Sequence, residues 1–178
     1  QAEQRGTGHA VRVALAALPE LSGDVLILYG DTPLLRAQTI ERMVAAKLER
    51  SADLLLLSAH APSIPGILVR DAEGRLERIV ESQDATPAEL AIPERNTGVY
   101  LVSAKLLRDG VASLTPHNAQ GELYLTDVVG HAVRHGFRVE TGCGVLKHRF
   151  HLVPRNSGKP LQEVIDRRPS EEHTSELQ

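Results

Sequence analysis

The sequence predicts an α/β domain: a mostly parallel sheet flanked by helices, with an antiparallel hairpin inserted. Three observations carry this expectation. Two short runs, Val25-Leu26-Ile27-Leu28 and Leu54-Leu55-Leu56-Leu57, are wholly apolar, as strands covered on both faces are. Segments with apolar residues every three or four positions alternate with such runs, and that is the period of a helix with one buried face. Finally, residues 66–70 and 76–80 are joined by Asp71-Ala72-Glu73-Gly74, a sequence with hairpin-turn chemistry.

In chain order, Val11, Ala14, Leu15 and Leu18 place a helix over 9–19, after the turn Gly6-Thr7-Gly8. Pro19 and Gly23 bracket a loop. The strand at 25–28 then ends in Tyr29-Gly30-Asp31, followed by Thr32-Pro33. A second helix is expected over 36–50, with Ile40, Met43, Val44 and Leu48 on one side, and 54–57 is expected to be the parallel neighbour of 25–28. The hairpin follows, then a polar, Pro-broken loop over 82–95 and a strand over 97–102. Helices are predicted at 103–113 and 121–135, the second with Leu125, Val128, Val129 and Ala132 on a shared face. A last strand is predicted at 137–141. From residue 145 onward no periodicity is visible, and the chain contains no internal repeat.

The chain has 178 residues, 42% of them hydrophobic and 24% charged, enough to build one core. Trp is absent and aromatics make up 3%, so Leu, Val, Ile and Ala must do the packing. This composition excludes a disordered chain, a collagen-like repeat and an aromatic platform for single-stranded nucleic acid. A net charge of −3 argues against nucleic acid as a partner, because phosphate neutralisation needs clustered Lys and Arg. No apolar run approaches the roughly 18 residues of a membrane span. A single cysteine, Cys143, excludes an internal disulfide framework and suggests a reducing compartment. Charge also shifts along the chain. Acidic groups are in excess up to residue 144, whereas 145–169 is basic (Lys147, Arg149, Arg155, Lys159, Arg167, Arg168 against Glu163 and Asp166).

Ligands of open α/β sheets bind beyond the carboxyl ends of the strands, which singles out Asp31. A carboxylate there can hold Mg²⁺, a hard cation that shares its oxygen ligands with substrate phosphates; it can equally cap a turn or the following helix. Gly6-Thr7-Gly8 before a helix can present backbone N–H groups to an anion or a base, or be an ordinary tight turn. His131 and His135 have the i,i+4 spacing of a zinc pair but lack the H-E-x-x-H glutamate, and a solvated helix face is expected. Cys143 reads as a small buried residue rather than a nucleophile. Glu81 and Asn96 are polar residues at strand boundaries facing the same gap; on their own they read as turn or cap residues.

Five ordered segments resemble a known family. They are Gln1-Ala2-Glu3-Gln4-Arg5-Gly6-Thr7-Gly8-His9-Ala10, Leu28-Tyr29-Gly30-Asp31-Thr32-Pro33-Leu34, Arg78-Ile79-Val80-Glu81-Ser82-Gln83-Asp84-Ala85-Thr86, Asn96-Thr97-Gly98-Val99-Tyr100 and Asn118-Ala119-Gln120-Gly121-Glu122-Leu123-Tyr124-Leu125-Thr126-Asp127. Together they resemble the uridylyltransferase domain of the bacterial UDP-N-acetylglucosamine pyrophosphorylases, whose bifunctional enzymes also acetylate glucosamine-1-phosphate. The resemblance covers about residues 1–142. It implies a Rossmann-like nucleotide-diphospho-sugar transferase fold and the reaction of UTP with N-acetylglucosamine-1-phosphate to give UDP-N-acetylglucosamine and pyrophosphate. It further implies that Gln1, Gly6 and Thr7 recognise the nucleotide, that Tyr29, Gly30 and Asp31 line the nucleotide–sugar junction, and that Asp31 is the catalytic Mg²⁺ ligand. Gly66, Glu81 and Asn96 would contact the sugar. A cytoplasmic enzyme supplying peptidoglycan synthesis is implied too, as is a homotrimer formed through the family's C-terminal domain.

The sequence departs from the family in three places. The family's L-A-A-G-x-G-T-R-M loop, which supplies donors and charge for the triphosphate, has no counterpart in these residues. On that ground the 178-residue chain is expected to be N-terminally truncated and inactive alone. The family's G-Y-G-R becomes Ile64-Pro65-Gly66-Ile67, keeping one glycine but neither Tyr nor Arg. The V-N-[DN]-R segment that carries a second metal ligand is absent, and ungapped counting lands on Pro154. The domain is therefore read as 1–144. Residues 145–178 are read as a tail of different origin, frame-shifted or artefactual, in which 170–178 resembles a translated sequencing adapter. The family's hexapeptide β-helix has no counterpart here. Two alternatives stay open: a nucleotidyltransferase for another sugar or base, and a non-catalytic fragment that binds UDP-sugar or is degenerate.

Overall fold

The four leucines at 54–57 lie in the middle of the sheet, and their alternation organises the fold around them. The computed structural model describes residues 3–30 and 35–142. Gln1, Asp31, Cys143 and the tail 145–178 lie outside the described residues. The helices are α1 (Thr7–Ala16), α2 (Ala37–Glu49), α3 (Pro87–Leu90), α4 (Ala104–Ala112) and α5 (Asp127–Arg134). The strands are β1 (Asp24–Ile27), β2 (Leu54–His60), β3 (Gly66–Arg70), β4 (Leu76–Glu81), β5 (Glu94–Ser103) and β6 (Val139–Gly142). Successive strand residues point to opposite faces. Leu54 and Leu56 accordingly join the core shared with Leu15 of α1, Leu106 and Leu107 of α4 and Val128 and Val129 of α5. Leu55 and Leu57 pack with Met43 of α2. All four are essentially inaccessible to solvent, and each such burial is worth about 1.5–3 kcal/mol.

The α/β class and the inserted hairpin are as expected, and the sheet is mixed. The strand order is β4-β3-β5-β2-β6, with β1 paired to β5. Strands β1 and β2 point the same way but are not neighbours, because β5 runs antiparallel between them. The parallel pair among the described strands is β2–β6. One side of β5 is shared: Arg95 pairs with Ile67 of β3, while Tyr100 to Ser103 pair with β1. That sharing corrects a second expectation. Strand β1 is half-buried rather than fully covered, since no described strand lies along its outer edge.

Local chemistry explains where elements start and stop. Thr86 and Glu89 form a capping box with Pro87 in the first turn, giving the short helix α3 inside a segment expected to be loop. Helix α5 begins at Asp127, later than expected. Before it, the Asn118 side chain accepts from the N–H groups of Gln120 and Glu122 and holds a turn. Helix α1 ends at Ala16, and the chain beyond it is gathered by Arg108, whose guanidinium donates to the carbonyls of Leu18, Pro19 and Leu21. On the sheet, Arg70 reaches Glu94 through two hydrogen bonds of 2.8 and 2.9 Å and Thr141 through a third of 2.9 Å. Ser58 donates to the same carboxylate at 2.6 Å. Among the described residues no helix is long and apolar enough to cross a membrane.

Candidate nucleotide-sugar site

The open end of the β3–β4 hairpin sets the first half of the site. Gly66 pairs with Glu81 across it. A Cβ on Gly66 would sit 3.1 Å from the Cβ of Asn96, so the missing side chain is what lets β5 bring Asn96 this close. The three residues expected to contact a sugar thus converge from three strands.

A bulge in β5 supplies the second half. Pairing with β2 slips between Leu56 and Ser58, so that Leu56 faces Tyr100 while Ser58 faces Asn96. Gly98 has φ +78°, and a Cβ there would collide with the Tyr29 ring; only glycine accepts both constraints cheaply. The Asn96 amide donates to the Tyr100 hydroxyl, and its oxygen accepts from the Gly98 N–H at 3.2 Å. The Tyr100 hydroxyl also engages Tyr29. Burial above all, then Tyr29 and Glu81, pushes that hydroxyl well above its ordinary pKa. Tyr29, which follows β1 by two residues, therefore lies over β5 at the carboxyl end of β1.

Acidic and hydroxyl groups complete the rim. Thr126 donates to Glu81 at 3.2 Å. Burial raises the Glu81 pKa, and Asp127 and Asp84 add to the rise against the Thr126 hydrogen bond. Asp127 is raised as well, by burial first, with Arg134 opposing and Asp84 reinforcing. Tyr124 is pushed up to about 12 by burial and by the nearby acids, Asp84 foremost. Asp84 itself accepts from the Ala119 N–H at 2.7 Å, which ties the 82–86 loop to the Asn118 turn. Buried polar groups of this kind reject a ligand that leaves them unpaired.

Gly6 and Thr7 brace the segment preceding α5 that carries the rim residues Tyr124 and Thr126. The Thr7 hydroxyl accepts from the Leu125 N–H at 3.1 Å, and the Gly8 N–H donates to the Leu123 carbonyl at 2.8 Å. Tyr100, Thr126 and Gly98 were not singled out individually from the sequence. One signal for Tyr100 was available: it lies an even number of residues after Asn96, which favours one face of a strand. The expected solvated face at His131 is corrected, because that side chain is buried at 8% exposure between α4 and α5. Among the described residues no group of three or more His, Cys, Asp or Glu side chains is arranged to hold a metal. Asp31, the expected ligand, follows Gly30 outside the described residues.

Comparison with known proteins gives a consistent relationship. No family model matches the chain. Over 135 residues, 75% of the chain, it is 50% identical to the bifunctional protein GlmU of Trichlorobacter lovleyi, covering 29% of that protein. Over 144 residues it is 49% identical to the GlmU of Leifsonia xyli subsp. xyli, covering 79% of the chain and 29% of the relative. The GlmU of Burkholderia multivorans is 48% identical over 141 residues, with 79% of the chain and 31% of the relative covered. The chain spans about 30% of the length of the curated relatives it matches.

Proposed function

We propose, for a chain that belongs to the GlmU family of bifunctional proteins, that it provides the sugar-nucleotide site of a sugar-1-phosphate uridylyltransferase. The reaction is UTP plus N-acetylglucosamine-1-phosphate giving UDP-N-acetylglucosamine and pyrophosphate. The observation that carries this reading is the convergence of Gly66, Glu81 and Asn96 beside Tyr29 at the carboxyl end of β1. Ligands of open α/β sheets sit at such strand ends.

In this reading a sugar-phosphate oxygen attacks the α-phosphorus of UTP and pyrophosphate leaves, with no covalent bond to the protein. Catalysis is positioning and charge neutralisation. Glu81 accepts from a sugar hydroxyl, Asn96 meets the sugar's polar edge, and Gly66 leaves room for it. Tyr29 and Gly30 flank the phosphates; Gln1, Gly6 and Thr7 recognise uracil and ribose. The carboxylate of Asp31 is the hard oxygen donor that Mg²⁺ takes, and Mg²⁺ held there would neutralise phosphate charge. The peptidoglycan role, the cytoplasmic setting and the trimer implied by the resemblance belong to this proposal.

The Ile64-Pro65-Gly66-Ile67 segment supports a second reading within the class, a different sugar. Ile67, where the family carries Arg, is buried in the sheet, and Pro65, where it carries Tyr, is exposed, so neither position offers the family's polar group to a sugar. Calorimetric titration of the 178-residue chain with UDP-N-acetylglucosamine and UDP-glucose, each with and without Mg²⁺, tests both. The main reading expects the acetylated sugar to bind more tightly, with an Mg²⁺ dependence that Asp31→Ala removes. A preference for UDP-glucose favours the second reading, and failure to bind either contradicts both.

A further inference from the structure

The groups around the Asn96 amide admit one orientation of it. A backbone N–H can only donate, so the atom that meets the Gly98 N–H at 3.2 Å is the amide oxygen, and the nitrogen is turned to the Tyr100 hydroxyl. An amide nitrogen in turn can only donate. The Tyr100 oxygen therefore accepts, and its own proton is left for Tyr29, the hydroxyl's other partner. Tyr100 is 2% exposed, and burial above all keeps that proton in place. Asn96, Tyr100 and Tyr29 thus form one directed chain of donors, running from the sugar end of the site to the carboxyl end of β1.

These two hydrogen bonds use half of what the amide offers. One N–H and one oxygen lone pair remain, on a side chain that is itself buried. The space left at Gly66 adjoins the nitrogen, since a Cβ there would come within 3.5 Å of it. We propose that Tyr100 is a positioning residue for sugar choice: its hydroxyl holds the Asn96 amide so that the remaining N–H and lone pair are presented together to an acetamido group. Such a group meets them with two separate atoms, its carbonyl oxygen and its nitrogen. A sugar hydroxyl has a single oxygen to serve both, and a buried amide atom left without its partner is costly. The inference rests on the nucleotide-sugar reading and adds to it a residue that acts through Asn96.

Calorimetric titration of the full chain with UDP-N-acetylglucosamine and UDP-glucose tests it, with Tyr100→Phe, Asn96→Ala and the double variant beside the unsubstituted chain. Phenylalanine keeps the ring and its packing and removes the hydroxyl; circular dichroism checks the fold. Tyr100→Phe is expected to weaken UDP-N-acetylglucosamine binding at least about tenfold and UDP-glucose binding less than about threefold, so that the preference between them falls. In the Asn96→Ala background the same exchange is expected to change affinity less than about twofold, because its effect runs through Asn96. In the unsubstituted chain, whatever the variants do, the Asn96 side-chain amide protons are expected to exchange slowly with solvent and to show a nuclear Overhauser contact with the Tyr100 ring. Equal losses for the two ligands, an undiminished effect in the Asn96→Ala background, or a fast-exchanging Asn96 amide would overturn the positioning role and leave the nucleotide-sugar reading standing. An unsubstituted chain that binds neither ligand would overturn the reading and the inference with it.

Discussion

Glu81 and Glu94 are both partly buried carboxylates, and their surroundings push them in opposite directions. Burial pushes Glu94 up, but the hydrogen bonds from Arg70 and Ser58 and the Arg70 charge outweigh it, leaving the pKa below its ordinary 4.5. A depressed acid contributes stability above its ordinary pKa and loses it as pH falls through the folded value. Glu94→Gln should therefore lower the unfolding midpoint at pH 7 and flatten its decline in acid, as a thermal-melt series at stepped pH would read. Glu81 is raised, so its contribution is favourable below its ordinary pKa and fades as pH rises through the folded one. Glu81→Gln is thus expected to leave stability at pH 7 unchanged or improved while weakening sugar-nucleotide affinity by about 10- to 100-fold, the worth of a hydrogen bond to a charged group. In the proposed reading, this stability cost is retained for binding. Gly98→Ala meets both a positive φ and the Tyr29 ring. It should destabilise by about 1–3 kcal/mol and change Tyr29 fluorescence.

At the scale of elements, the apolar runs announced their strands, and the paired turn residues announced the hairpin. Strand direction was not readable in the same way, since a run such as Val99-Tyr100-Leu101-Val102 looks identical parallel or antiparallel. The ten-residue length of β5 lets one side of it pair with β3 at Arg95 and with β1 from Tyr100 to Ser103, and its place between β1 and β2 is set by pairing that periodicity does not encode. Helix α3 was legible in Thr86-Pro87-Ala88-Glu89, a capping-box sequence inside a polar stretch. The anchoring of α1 was not, because Arg108 is 87 or more residues from the carbonyls it binds. Arg108→Ala should lower stability by about 1–2 kcal/mol, measured by urea unfolding, with faster amide exchange at residues 15–21 than elsewhere. Uniform loss of protection would contradict a local anchoring role.

Across the whole molecule, two hydrophobic clusters clamp the central sheet, and the hairpin and bulge gather polar groups at one end of it. Glu81 and Asn96 were legible because their segments resemble the family's in order, and Gly66 only as the glycine kept where the family's G-Y-G-R becomes Ile64-Pro65-Gly66-Ile67. Their common surroundings of Tyr100, Thr126 and Gly98 were not, because these residues meet only through strand register. The central claim is that this convergence recognises the sugar of a UDP-sugar. Its most direct measurement is an amide-resolved magnetic-resonance titration of the chain with UDP-N-acetylglucosamine. The predicted result is saturable shifts centred on Gly66, Glu81, Asn96 and Gly98, with Asn96→Ala at least about tenfold weaker in binding. Shifts centred elsewhere, or affinity unaffected by Asn96→Ala, would contradict the account.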